Sequence, residues 1–271
     1  MSGNKTLRIL IRGGGDLASG VALRLYRAGW QVLVAELPEP LTVRRLVSFS
    51  EAIYSGRSQV EEVVGIHVVQ PDQAFSELSK GNIPVIVDPT LNSREWFSPH
   101  VLVDGRMLKV APELSHPAAR LSIGLGPGFI AGENCHAVIE TKRGPYLGRV
   151  IWFGAAEPDS RLPERVSNYT GERVLRAAVD GVFVSTVSIG SHVNAGDIIG
   201  WVGSTTVSAP FNGVIRGLVH DGLRVTQNMK IGDVDPRDDP QLSRLVSDKS
   251  LAIGGAVLEA ILSFKPLRGM W

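Results

Sequence analysis

Between residue 7 and about residue 119, short β-rich runs alternate with helix-length amphipathic stretches. Few folds accommodate that pattern. Residues 7–11 (LRILI), 31–35 (QVLVA), 66–69 (IHVV), 83–87 (IPVIV) and 101–103 (VLV) read as strands. Residues 16–28 (DLASGVALRLYRA) set Leu17, Val21, Leu25 and Ala28 at helical spacing, and a second helical stretch holds Phe75–Leu78. Parallel strands joined by crossover helices produce this alternation. The expected fold class is therefore α/β, with a Rossmann-like parallel sheet forming an N-terminal domain over residues 1–120.

The junction of the first strand and helix carries chemistry. Gly13, Gly14 and Gly15, followed by Asp16, Leu17 and Ala18, fit G-x-G-x-x-A directly between strand and helix. Glycines there let a backbone approach a diphosphate, whose charge faces the N–H groups of the helix start. Glu36 follows 21 residues after Gly15, at the end of the second strand, where an acid accepts hydrogen bonds from a ribose diol. The alternative is a tight turn without a ligand, Asp16 capping the helix. Asp16 competes with phosphate for the same donors, and Arg12, or Arg44 and Arg45 further on, supply charge to neutralise it.

A second glycine loop runs Gly124-Leu125-Gly126-Pro127-Gly128, and its N–H groups can converge on an anion. Cys135 stands beside His136. An imidazolium lowers a thiol's pKa, but neighbours on a strand point to opposite faces, so a buried small hydrophobe is the simpler reading. His67, His100, His116, His192 and His220 are scattered without ligand spacing, and no metal site is expected.

Beyond residue 171 the texture is all β, with short Val/Ile runs and turns at Gly190, Asn194–Gly196, Asn212–Gly213 and Asp221–Gly222. Residues 189–200 and 209–225 resemble the barrel-sandwich hybrid of biotinyl and lipoyl domains. The hairpin between those halves, residues 202–208, lacks the carrier Lys. The expected domains are 1–120, a mainly β domain at 121–245 with the barrel at about 171–235, and a C-terminal helix and tail at 246–271. One Cys excludes a disulfide framework, and a net charge of +1 offers no basic field for nucleic acid or acidic lipid. No signal peptide or membrane-spanning run is read, so a cytoplasmic protein is expected.

Taken together, several stretches resemble the YqeB-type accessory proteins of selenium-dependent molybdenum hydroxylases. They are residues 12–20 (RGGGDLASG), 44–54 (RRLVSFSEAIY), 124–132 (GLGPGFIAG), 230–237 (KIGDVDPR) and 247–261 (SDKSLAIGGAVLEAI). The resemblance implies maturation of a molybdenum hydroxylase, with a nucleotide-binding domain similar to the Rossmann domain of XdhC-type chaperones. It implies the hydroxylase apoprotein as partner and the dinucleotide form of molybdopterin as ligand, with selenium or sulfur chemistry at hand; it supplies no catalytic residues. On this reading Gly13, Gly14, Gly15, Asp16 and Glu36 line one cofactor pocket, and Gly124, Gly126 and Gly128 a second. An NAD(P)-dependent oxidoreductase and a non-catalytic scaffold are the alternatives, the former lacking a Tyr-x-x-x-Lys or comparable hydride-transfer set. A homo-oligomer is left open.

Overall fold

The computed structural model describes residues 6–108, 110–113, 118–158 and 171–270. Two compact units emerge: unit 1 is Met1–Pro40, Ser48–Asp159 and Val246–Trp271, and unit 2 is Leu41–Val47 with Ser160–Leu245.

Unit 1 is built on the strands β1 (Arg8–Arg12), β2 (Gln31–Glu36), β3 (Arg57–Val60), β4 (Val63–Val68), β5 (Ile83–Val87), β6 (Val101–Asp104), β7 (Leu121–Leu125), β8 (Ile130–Ala131), β9 (Ala137–Ile139), β10 (Val150–Ile151) and β11 (Gly154–Ala155). Nine of them form one sheet in the order β10-β9-β7-β6-β1-β2-β5-β4-β3, while β8 and β11 pair separately. The interior pairings are parallel, and the two edges, β3 with β4 and β9 with β10, are antiparallel. The core strands β1, β2 and β6 are buried almost throughout, as strands covered on both faces must be.

Four helices follow the early strands and a fifth ends the unit: α1 (Asp16–Arg27), α2 (Ala52–Ser55), α3 (Pro71–Ser79), α4 (Ser93–Phe97) and α5 (Asp248–Ser263). Helix α3 starts on a capping box between Gln70 and Gln73 with Pro71 at its first position, where a missing N–H costs nothing. The N-cap of α5 is Ser247, whose hydroxyl accepts from the Ser250 N–H. Phe97 at the end of α4 is fully buried against Leu10, Leu33 and Leu102, a burial that contributes about 1.5–3 kcal/mol. Among the described residues no helix is long and apolar enough to cross a membrane.

Unit 2 holds β12 (Val174–Arg176), β13 (Gly181–Ser185), β14 (His192–Val193), β15 (Ile198–Val202), β16 (Thr205–Ser208), β17 (Gly213–Leu218), β18 (Arg224–Val225) and β19 (Lys230–Asp235). They make two four-stranded antiparallel sheets, β12-β19-β17-β14 and β16-β15-β13-β18.

The expected fold class needs correction on both halves. The sheet of unit 1 is mixed, and it does not stop at residue 120: β7, β9 and β10 extend it to Ile151. Strand β5 lies between β2 and β4, and β4 pairs on its other side with β3 in an antiparallel hairpin. That order is not a plain Rossmann alternation. Unit 2 is not a self-contained barrel at 171–235 either, since an early segment, Leu41–Val47, belongs to it. The carbonyl of Val43 comes so close to Gly217 that a Cβ there would sit 2.6 Å away, and Arg45 Nε donates to the Leu218 carbonyl at 2.8 Å.

Candidate functional site

In the order β6-β1-β2-β5, the four central strands end in charge: Asp104, Arg12, Glu36 and, just after Val87, Asp88. Each of these residues is more than nine-tenths buried. Buried charge is costly unless it is paired or hydrogen-bonded: Arg12 and Asp104 have ionic partners here, and Glu36 and Asp88 accept from backbone N–H groups. Asp88 accepts from the backbone N–H groups of Asn92 and Ser93 at 2.9 and 2.6 Å, anchoring the start of α4. Glu36 accepts from Gly14 N–H at 2.6 Å and Leu37 N–H at 2.7 Å.

Arg12 and Asp104 face each other in register across β1 and β6. Arg12 Nη2 donates to the Pro89 carbonyl at 2.8 Å, and its Nη1 reaches Glu113 at 3.2 Å. Arg106 follows Asp104 by two residues and grips both of its oxygens through Nε and Nη2 at 2.9 and 2.7 Å. It also donates to Glu113 through Nη1 and Nη2 at 3.2 and 2.9 Å. Two guanidiniums thus meet on one carboxylate. Hydrogen bonding from Arg106 holds Glu113 down to about 2, well below the usual carboxylate range.

The first glycine loop lies beside this cluster, but most of its surface faces protein. A Cβ on Gly14 would stand 2.9 Å from the Ser50 nitrogen and 3.0 Å from Val34. Ser50 N–H donates to the Gly14 carbonyl, and Gly13 N–H to Ala35 O. The helix is capped by Gly15 rather than Asp16, and Asp16 Oδ1 accepts from the Ser250 hydroxyl at 2.9 Å. Glu36 is the decisive residue: its carboxylate occupies the Gly14 donor that a diphosphate needs, so it is turned away from any ribose.

Burial pushes the Glu36 carboxyl above the usual range, and the two N–H donors offset this only in part. An acid whose folded pKa is raised loses its stability contribution as pH rises from the unfolded value through the folded one. The stability of the wild type minus that of Glu36→Gln is therefore expected to shrink as pH rises from the ordinary carboxylate value, about 4, towards neutrality. Urea melts across that range measure it, and a difference that widens with pH would refute the buried-carboxyl account.

The second loop is packed more tightly still. A Cβ on Gly124 would stand 2.1 Å from the Phe129 ring, one on Gly126 2.6 Å from Thr141 Oγ1, and one on Gly128 2.7 Å from the Leu108 carbonyl. These glycines admit neighbouring protein atoms. Cys135 lies in the cluster of Phe129, Ala131, Val138 and Ala156, where burial pushes its thiol up to about 11. It stays protonated, and His136 turns elsewhere, its Nδ1 accepting from Ser122 N–H at 3.0 Å. No group of three or more metal-binding side chains occurs among the described residues; His116 lies outside them. Arg44 and Arg45 belong to unit 2, where Arg44 donates to the Leu242 and Leu245 carbonyls.

Sequence reasoning named Arg12 only as a neutralising charge and missed Asp104, Arg106 and Glu113. A signal existed: both β1 and β6 end in a charged residue followed by glycine, as Arg12-Gly13 and Asp104-Gly105.

No family model matches the chain. Among solved structures, an aspartoacylase family protein of Mesorhizobium loti aligns over 84% of both chains at 10% identity, with a TM-score of 0.29. The ectoine utilization protein EutE (DoeB) of Ruegeria pomeroyi aligns over 84% of this chain and 86% of its own at 12% identity and a TM-score of 0.25. A succinylglutamate desuccinylase of Silicibacter aligns over 84% of both chains at 10% identity and a TM-score of 0.25. At those scores no activity transfers to this chain. The engaged Glu36 and the filled face of Gly14 correct the expected molybdopterin-dinucleotide or NAD(P) cofactor, and with it the hydroxylase-maturation role and the selenium and molybdenum chemistry tied to that cofactor. The chain is 42% identical over 254 residues to the uncharacterized protein YqeB of Escherichia coli (strain K12). That similarity takes in 94% of this chain, which spans about half (47%) of YqeB.

Proposed function

We propose that unit 1 is a binding module for a small anionic ligand seated at the carboxyl ends of β1 and β6. The observation that carries this reading is the convergence of Arg12 and Arg106 on Glu113, whose side chain is 69% exposed. An exposed carboxylate held by two guanidiniums, themselves fixed by Asp104 and the Pro89 carbonyl, is the internal counterpart of a ligand carboxylate or phosphate. Arginine forks suit either group. The location supports the same reading, since open α/β sheets take ligands outside the carboxyl ends of strands where the strand order reverses. Here β1 is flanked by β2 on one side and by β6 on the other. Nucleotide-type ligands belong to this class, meeting the guanidiniums through a phosphate rather than the N–H groups of the glycine loop.

Calorimetric titration of the full chain with succinate and with AMP tests the proposal. Glu113→Gln is expected to bind at least one of them more tightly than wild type, because the competing internal anion is gone. Arg106→Ala is expected to lose about ten-fold or more, the worth of one charged hydrogen-bonding group. Absence of saturable binding in both wild type and Glu113→Gln overturns it, as does undiminished affinity in Arg106→Ala.

A further inference from the structure

At the other end of the same strands, a cleft of about 580 Å³ is lined by Arg8, Arg94, Ser98, His100 and Arg120, with Pro99 and Ala118 completing it. Arg8 opens β1, His100 immediately precedes β6 and Arg120 immediately precedes β7. Arg8 and Arg12 lie four residue steps apart along β1, about 13 Å of extended chain. Among the described residues no acidic side chain lines the cleft.

Two of the three arginines, Arg8 and Arg120, are held by neutral partners. Arg8 donates through Nε and Nη2 to the Ser98 carbonyl at 3.3 and 3.1 Å, which aims its fork. Arg120 Nη1 lies 3.5 Å from Met270 Sδ. Among the described residues none of Arg8, Arg94 and Arg120 forms an ion pair with a carboxylate, although the chain has 27 acidic residues to 28 Lys and Arg. Arg12 and Arg106, at the other end of these strands, are instead matched by Asp104 and Glu113. His100 accepts the Arg8 N–H on Nδ1 at 3.0 Å, which leaves Nε2 to carry the proton of the neutral ring. Burial, and then the charges of Arg8 and Arg120, hold that ring below its ordinary pKa. The histidine thus adds a hydrogen-bond donor and no further repulsion.

A cleft lined by one sign of charge concentrates counter-ions, and like charges left unmatched in it favour whatever neutralises them. We propose that this cleft is a second binding site, for a small polyanion such as a phosphate ester or a polycarboxylate. Its volume lies in the range of small-molecule sites, about 300–1,000 Å³. A net charge of +1 lacks the extended basic field of nucleic-acid binders, so the ligand is compact. The ligand's charges meet the forks of Arg8, Arg94 and Arg120, and His100 Nε2–H donates to one of its oxygens.

Titration of the full chain with inorganic pyrophosphate and, separately, with citrate reads this out. Saturable binding of at least one is expected, about ten-fold or more weaker in Arg94→Ala and in Arg120→Ala, and weaker at high salt. Pyrophosphate alone binding assigns the phosphate class; citrate alone assigns the polycarboxylate class. Arg120 is exposed, so an unchanged melting temperature in Arg120→Ala separates lost binding from lost folding. Arg106→Ala should leave this binding intact, which distinguishes the cleft from the site at the carboxyl ends. Failure of both probes to bind, wild-type affinity in the Arg94 and Arg120 variants, or loss in Arg106→Ala alone would each overturn the proposal.

Discussion

Replacing Asp233 by alanine is expected to destabilise unit 2 by about 3–5 kcal/mol, the range for removing one partner of a buried ion pair. Asp233 sits on β19 with 1% of its surface exposed, and Arg173 Nη1 donates to it at 2.7 Å. Arg216 lies on its other side, with Nη1 3.7 Å away. The next inward-facing acid, Asp235, is already engaged by Arg237 at 2.6 and 2.9 Å and is 3.6 Å from Arg216 Nε. Burial, followed by the neighbouring charge of Arg44, already disfavours the charged form of Arg216. Removing Asp233 would take away the carboxylate that buried Arg173 donates to and leave Arg216 facing only Asp235, which Arg237 already engages. Urea denaturation compares this variant with Glu62→Ala, which breaks an exposed pair with Arg27 and should cost no more than about 1 kcal/mol. Equal costs for the two would mean that the Asp233 cluster is well hydrated, contrary to its burial.

The sequence pattern exposes the elements of this fold far better than their partners. Residues 31–35 and 83–87 read as strands and are strands, and the helix expected at 16–28 is α1 to within one residue. Period and composition are local properties, and these segments carry them plainly. Strand β3 went unread because Arg57–Val60 alternates over only four residues and gains its place by pairing with β4. Strand β7 was hidden inside a glycine-rich stretch: Gly124 stands in a strand because the Phe129 ring needs the space a side chain would fill. The same ambiguity misdirected the site. A glycine that admits a ligand and one that admits protein are identical in sequence, and at Gly14 the occupant is Ser50, 36 residues away along the chain. Glu36 stands where a ribose-binding acid belongs, but its geometry is set by the Gly14 and Leu37 N–H groups that it accepts from. Arg106 and Glu113 lie in the irregular chain after β6 and meet there by hydrogen bonds, and no helical or strand period reports that.

The neighbouring glycines of α5 should respond in opposite directions to substitution. A Cβ on Gly254 would lie 2.7 Å from the Gly20 carbonyl and 2.8 Å from Arg24 Cγ, whereas one on Gly255 meets nothing within 4 Å. On α1, a Cβ at Gly20 would lie 2.6 Å from Ser250 Cβ and 2.8 Å from the Ser250 carbonyl. The two helices therefore cross backbone to backbone, and the Ser250 hydroxyl bonded to Asp16 fixes the crossing. Glycine in a helix interior ordinarily forfeits about 1 kcal/mol relative to alanine. At Gly255 alanine should recover about that much and raise the melting temperature. At Gly20 and Gly254 the same gain is opposed by overpacking of about 1–3 kcal/mol, because the obstructing atoms belong mainly to a helix backbone that cannot yield locally. Gly20→Val combines the clash with two further methyl groups and a less favourable helix former, and it should be the most damaging change in unit 1. Thermal melts of Gly20→Val, Gly254→Ala and Gly255→Ala decide the matter. Stabilisation at Gly254, or tolerance at Gly20, would mean that the α1–α5 crossing can open by several tenths of an ångström, and the crossing would then not be what holds the last helix to the sheet.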